Sequence, residues 1–344
     1  MKSRLFQTAQ LTGIDDGMNG PSDFFALRRA LLGLIAVLAV STTAFAGEDG
    51  SATLKEHDGW VGAVAFSPDG TTLASAGADR TVKLWDRKTN TVRATLRGHT
   101  DHVCAVAFHP EGKILASGSY DHTAKLWDAK TAKELRTLSG HRGVVLAVAF
   151  SADGDTLATG SIDGRIKLWD TKTGQERATL TGHKSWVNSV TFSTDGSLLA
   201  SGSSDATVKL WDVSKRQETA TLPVRTGEVR SVALSPDGKT VAAGTRYGVV
   251  VVWDVDSRKQ RAALKGHDGD VWSVAFAPDG KTFVSGGGDW KRPGEIKLWD
   301  TENWRVRKTL RHTGEVLCIA IDPQGEVLAA SSWDGTIKLW RVRR

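Results

Sequence analysis

The dipeptide Trp-Asp returns at a nearly fixed interval, and no other property of this chain restricts its fold as strongly. It occurs as Trp85-Asp86, Trp127-Asp128, Trp169-Asp170, Trp211-Asp212, Trp253-Asp254 and Trp299-Asp300, with Trp340-Arg341 a degenerate seventh copy, at spacings of 42, 42, 42, 42, 46 and 41 residues. A His precedes the Trp by 28 residues in five copies (His57, His99, His141, His183 and His312) and by 32 in the sixth (His267), while the fifth copy has Arg225. Such self-similarity marks a repeat architecture, in which one small unit is copied because it cannot bury its apolar faces alone.

Within a copy the pattern is that of short strands. Val61-Gly62-Ala63-Val64-Ala65-Phe66 alternates small and apolar residues like a strand covered on both sides, and Ser67-Pro68-Asp69-Gly70 turns the chain: Pro fixes φ, Asp bonds the backbone two residues on, and Gly accepts a left-handed conformation. Second, third and fourth strands are predicted over residues 71–75, 81–86 and 91–97. Four antiparallel strands per 42 residues, with no helical periodicity, make one blade of a propeller.

Gly-His, Ser-Pro-Asp-Gly, a turn Asp and Trp-Asp in fixed order over residues 51–344 resemble the WD40 repeat family. The resemblance implies an all-β, seven-bladed propeller in which each repeat straddles two blades. The last copy ends with its third strand, and residues 52–55 at the other end match residues 94–97, so the two termini are expected to pair within one blade and leave no open edge. The resemblance also implies a hydrogen-bonded tetrad per blade: His57, Ser75, Asp79, Trp85; His99, Ser117, Asp121, Trp127; His141, Thr159, Asp163, Trp169; His183, Ser201, Asp205, Trp211; and His267, Ser285, Asp289, Trp299. A His, a hydroxyl and a carboxylate together look like a hydrolase triad, but a triad copied five times suits a buried structural network better than an active site. Copy five, with Arg225, Ala243 and Tyr247 at the His, hydroxyl and Asp positions, is expected to be the softest; drift and remodelling for a partner are both open. Copy seven has Ala330 at the hydroxyl position.

Thirteen tryptophans stand beside two tyrosines, and only seven belong to the repeat. The others are Trp60, Trp186, Trp272, Trp290, Trp304 and Trp333, with Trp290 in the four-residue insertion Trp290-Lys291-Arg292-Pro293 of copy six. By resemblance, one rim of the propeller carries Gly62, Cys104, Leu146, Asn188, Arg230, Trp272 and Leu317 at one offset and Ala78, Tyr120, Ile162, Ser204, Arg246, Gly288 and Trp333 at a second. Neither set contains a carboxylate or a His, which speaks against acid–base chemistry there; a third offset (Trp60, His102, Val144, Trp186, Glu228, Asp270, Glu315) is mixed. Trp and Arg dominate binding hot spots, so Arg230, Arg246, Trp272, Trp290 and Trp333 form a candidate partner-binding patch over blades 5 to 7, suited to an acidic or aromatic peptide; filling of rim gaps is the alternative.

The remaining histidines, His102, His109 and His122, do not converge, so no metal and no cofactor are expected. Cys104 and Cys318 lie in copies two and seven and are expected as free buried thiols. The net charge of +6 is spread without a basic run, and Lys83, Lys125, Lys167, Lys209, Lys297 and Lys338, two before each Trp, suggest solvated strand faces, so no nucleic-acid role is expected. Residues 1–46 differ in kind. Arg28 and Arg29, an apolar run over 30–40 and a small-x-small site at Ala44 and Ala46 have the order of a signal peptide, with Met18 as a possible true start and 47–50 as a short linker. The expected location is periplasmic or secreted, by the general or the twin-arginine route. The alternative is a membrane anchor over residues 30–47, which are 18 uncharged residues. Taken together, the sequence suggests a non-enzymatic, exported protein-interaction scaffold, with a carbohydrate or envelope-polymer binder as the rival and a channel-site enzyme behind both.

Overall fold

The computed structural model describes residues 51–289 and 291–342, and among them every regular element is a strand. The strands form seven four-stranded antiparallel sheets. Blade 1 comprises Val61–Phe66, Thr72–Gly77, Thr81–Asp86 and Thr91–Arg97, and blades 2 to 6 repeat this order. Blade 7 consists of Val316–Ile321, Val327–Ser332 and Ile337–Arg341, completed by Ala52–Leu54 from the other end of the described chain. Ala52 pairs with Leu339, Thr53 with Lys338 and Leu54 with Ile337, so the ring closes as the matching ends imply.

The first strand of each blade packs on the first strand of the next, and that of blade 7 on that of blade 1, so these seven strands form the inner ring. Seven hydrophobic clusters hold the molecule together, one at each seam between neighbouring blades. In the seam between blades 1 and 2, for example, Ala74, Leu84 and Leu96 of one blade meet Val103, Val106 and Leu115 of the other. Burying apolar area at about 25 cal/mol per Å² on both sides of every sheet explains why a blade needs its neighbours.

Each tetrad adjoins one of these clusters, in which its Trp is packed. In blade 1 the Trp85 indole N–H donates to Ser75 Oγ at 2.8 Å, the Ser75 hydroxyl meets His57 Nε2 at 2.7 Å, and His57 Nδ1 meets Asp79 at 3.0 Å. One tautomer, with the proton on Nδ1, satisfies all three bonds. The same chain runs through Trp127, Ser117, His99 and Asp121; Trp169, Thr159, His141 and Asp163; and Trp211, Ser201, His183 and Asp205.

Two expectations need correction. Trp299 and His267 both bond Ser285, at 2.8 and 2.7 Å, but Asp289 does not join them: His267 Nδ1 is buried without a hydrogen-bond partner. The inserted residues lengthen the turn that begins at Asp289, whose carboxylate caps the Lys291 N–H at 2.6 Å instead. Nor are the repeated lysines solvated. Lys83, Lys125, Lys167 and Lys209 are buried, because the outer strand covers the stem. It also supplies partners for the ammonium: Glu134 and Thr137 for Lys125, Glu176 and Thr179 for Lys167, Glu218 and Thr221 for Lys209, at 2.6–2.9 Å.

Blade 5, expected to be the softest, carries none of the unpartnered buried side-chain atoms found among the described residues. It loses the hydroxyl and the Lys together, and Ala243, Val249 and Val251 pack with Trp253 in one apolar cluster. Exchanging a whole buried polar network for aliphatic side chains is tolerated, whereas removing one member is not. Among the described residues, the buried side-chain atoms without a hydrogen-bond partner are in blades 6 and 7: His267 Nδ1, His312 Nε2 where Ala330 replaces the hydroxyl, Ser331 Oγ, and Glu295 Oε2, which is ion-paired with Lys297 at 3.1 Å.

Candidate functional site

Each inner strand carries a β-bulge at its second residue, at Gly62, Cys104, Leu146, Asn188, Arg230, Trp272 and Leu317. A bulge breaks the pairing and re-aims the side chain. These seven residues share one end of the inner ring, here called the upper face, with the loops before the inner strands and the turns after the second strands: Ala78 N–H, for instance, donates to Trp60 O at 2.9 Å. Several bulged side chains reach across a seam. Cys104 donates to Val145 O at 3.1 Å and Asn188 to Val229 O at 2.7 Å. Burial pushes the Cys104 thiol up to about 12; both cysteines are free.

Over blades 5 to 7 these crossings join into a charged and aromatic arc. Glu228 accepts Arg246 at 3.0 Å and Arg230 at 2.9 Å, and Arg230 continues to Asp270 at 3.2 Å. The Arg230 guanidinium lies over Trp272, 4.7 Å from the ring centroid, and the Trp272 N–H donates to Glu315 at 2.8 Å. The Trp333 backbone N–H donates to the Glu315 carbonyl at 3.0 Å, and the Trp333 indole stacks on Trp60 with centroids 6.2 Å apart and planes 14° from parallel. Trp60 meets His102 edge-on and Tyr120 at a tilt, extending the aromatic part into blade 2.

Four of the five candidate patch residues are therefore brought onto one face, and the fifth, Trp290, lies outside the described residues. Two features of the patch differ from the sequence expectation. Carboxylates from the third offset, Glu228, Asp270 and Glu315, sit within the patch and satisfy its Arg and Trp donors. The aromatic part also crosses the closing seam to Trp60, because blade 7 and blade 1 are neighbours in the ring though at opposite ends of the sequence. Trp304 lies elsewhere, packed edge-on against Phe276 and Phe283.

Sequence reasoning noted Tyr247 as a substituted tetrad Asp but left it out of the candidate patch. Blade 1 closes its turn by capping: Asp79 accepts the Thr81 N–H at 3.1 Å and only Arg80 is left-handed, with φ of 64°. Tyr247 cannot cap, so both Tyr247 and Gly248 adopt positive φ, 75° and 77°, as in a type I′ turn. The ring projects to solvent with the Arg246 guanidinium 5.3 Å from its centroid. The loss of Asp at a turn position, with Gly following, is the signal that could have found it.

The model of the family described as "WD domain, G-beta repeat" matches residues 49–86, 90–128, 258–300 and 304–341, and that described as "IFT122 first beta-propeller" matches residues 120–260. No curated protein matches the chain.

Proposed function

The chain is a seven-bladed β-propeller of WD40 repeats, a family whose members are generally non-enzymatic interaction scaffolds, and from that premise we propose that it seats a protein or peptide segment across the upper face of blades 5 to 7 and blade 1. The observation that carries this reading is the arc from Arg246 to Trp60. Within it Arg246, Arg230 and Trp272 are held in place by Glu228, Asp270 and Glu315, and groups immobilised before binding lose less entropy on binding. The carboxylates in the arc are engaged by Arg and indole donors, which suits recognition better than proton transfer.

An acidic ligand residue has one station. Arg230 is 11% exposed and shared by two acids, whereas Arg246 is 43% exposed with Glu228 on one side only, so a ligand carboxylate meets Arg246. Crosslinking and pull-down with the Arg246→Glu, Trp333→Ala double variant should lose partners that the wild type retains; retention of every partner would refute the patch. Stacked Trp60 and Trp333 also suit a sugar ring, so a glycan array run beside the pull-down separates a carbohydrate ligand from a peptide.

Export is part of the same proposal and is supported by the order of charges and apolar residues in 1–46, which lie outside the described residues. Intact-mass measurement on protein from the native host should give a chain beginning at Gly47. A chain retaining residues 30–46 would support the anchor instead.

A further inference from the structure

The inner strands end in Phe66, Phe108, Phe150, Phe192, Leu234, Phe276 and Ile321. Each of these side chains packs into the seam with the preceding blade, at the end of the ring opposite the upper face. Five seams are thus filled by a phenyl ring of the chain itself. At the seam between blades 6 and 7 the ring is replaced by Ile321, and a cleft of about 280 Å³ opens there. Its floor is Val284, Leu298, Ile321, Leu328 and Val342, and Lys308, Arg307 and Asp279 stand around it.

We propose that this cleft is a binding site for a small aryl carboxylate, independent of the upper-face ligand. The ring of the ligand takes the volume that a Phe side chain occupies in five sibling seams and lies against the apolar part of the lining, while the polar residues around the cleft orient its charged end. Arg307 already holds Asp300, so the ligand carboxylate is assigned to Lys308, which projects from the exposed outer strand.

The test is 3-phenylpropionate titrated into the full chain and followed by methyl NMR and by thermal melting. The expected result is saturable shifts of the Val284, Leu298, Ile321 and Leu328 methyls, with affinity of order millimolar for a ligand this size. Ile321→Phe should abolish the shifts and raise the Tm of the free protein. Lys308→Glu, on an exposed side chain, should leave the fold intact and weaken binding roughly two- to fivefold while leaving neutral 3-phenylpropanol unaffected. Absence of saturable shifts in the wild type, or equal binding by Ile321→Phe, would overturn the site. Equal response of the acid and the alcohol to Lys308→Glu would overturn the carboxylate assignment.

Discussion

Arg230 and Trp272 occupy the same bulged position in successive blades, and the guanidinium of the first lies 4.7 Å from the ring centroid of the second. The contact exists because each bulge turns its side chain toward the next seam. It links the ion pairs of blade 5 to the indole–carboxylate bond that Trp272 makes with Glu315. A double-mutant cycle on Arg230→Ala and Trp272→Ala should return a coupling of about 0.5–2 kcal/mol, as expected for a partly desolvated cation–π pair. Additive losses in urea denaturation would mean that the two side chains are held independently.

Restoring the missing hydroxyl should stabilise blade 7. Ala330 stands where blade 1 has Ser75, and His312 Nε2 is a buried orphan. Ala330→Ser is expected to raise the unfolding free energy by about 1 kcal/mol, the usual net value of a hydrogen bond to a buried group. An unchanged or lower urea midpoint would show that the site cannot hold the extra oxygen.

Removing residues 290–293 should repair blade 6. The deletion leaves Asp289-Gly294-Glu295, which matches Asp163-Gly164-Arg165 of blade 3, and lets Asp289 cap its own turn and reach His267. The variant should be more stable, and His267, now pushed down by burial to about 4, should titrate at higher pH in imidazole NMR. A His267 titration that does not move would mean that more than the length of the turn keeps the carboxylate away.

Acid should weaken the fold in two stages. Burial lowers His267 and His312 from the ordinary 6.5 to about 4, so between those values the unfolded chain binds more protons than the folded one. Their contribution is complete above pH 6.5 and declines on acidification, by about 3 kcal/mol per His at pH 4. Asp79 and Asp163 are lowered from 3.8 to about 2: burial works against this, and hydrogen bonds from His57 and His141 among others outweigh it. Their contribution is lost as pH falls from 3.8 through 2. Urea midpoints measured from pH 7 to pH 2 should fall in both windows, and a flat profile from 6.5 to 4 would contradict the burial of the two imidazoles.

Hydrogen exchange should rank the blades by their orphaned polar groups. Blades 6 and 7 hold His267 Nδ1, His312 Nε2 and Ser331 Oγ unpartnered, while blade 5 has Ala243, Val249 and Val251 packed around Trp253. Amides of the second and third strands should exchange faster in blades 6 and 7 than in blade 5. The reverse order would restore the softness that the irregular fifth repeat suggests.

Much of the fold is legible because it is written locally and then copied. The 42-residue period, Pro68-Asp69-Gly70 at a turn, the strand patterns and the matching ends at residues 52–55 and 94–97 need no partner from elsewhere in the chain to be read. The candidate site was legible only as a set of offsets. Trp272 and Trp333 are recognisable as surplus indoles, but their partners Glu315 and Trp60 lie one blade away, and for Trp60 that neighbour is at the far end of the sequence. Lys125 appears as an exposed charge in a strand until Glu134 and Thr137 are placed over it.

The sequence by itself determined the number of blades, their strand order, the closure of the ring and the residue types of each tetrad, because periodic patterning and turn chemistry act over a few residues. Only the tertiary structure decided which of those tetrads is complete, which charges are neutralised and which seam is left open. Asp289 misses His267, Arg230 is shared between Glu228 and Asp270, and a cleft opens beside Ile321 where five of its six siblings place a phenyl ring. Each of these turns on a separation of a few ångströms between side chains of different strands or different blades, set by how the sheets pack around the ring.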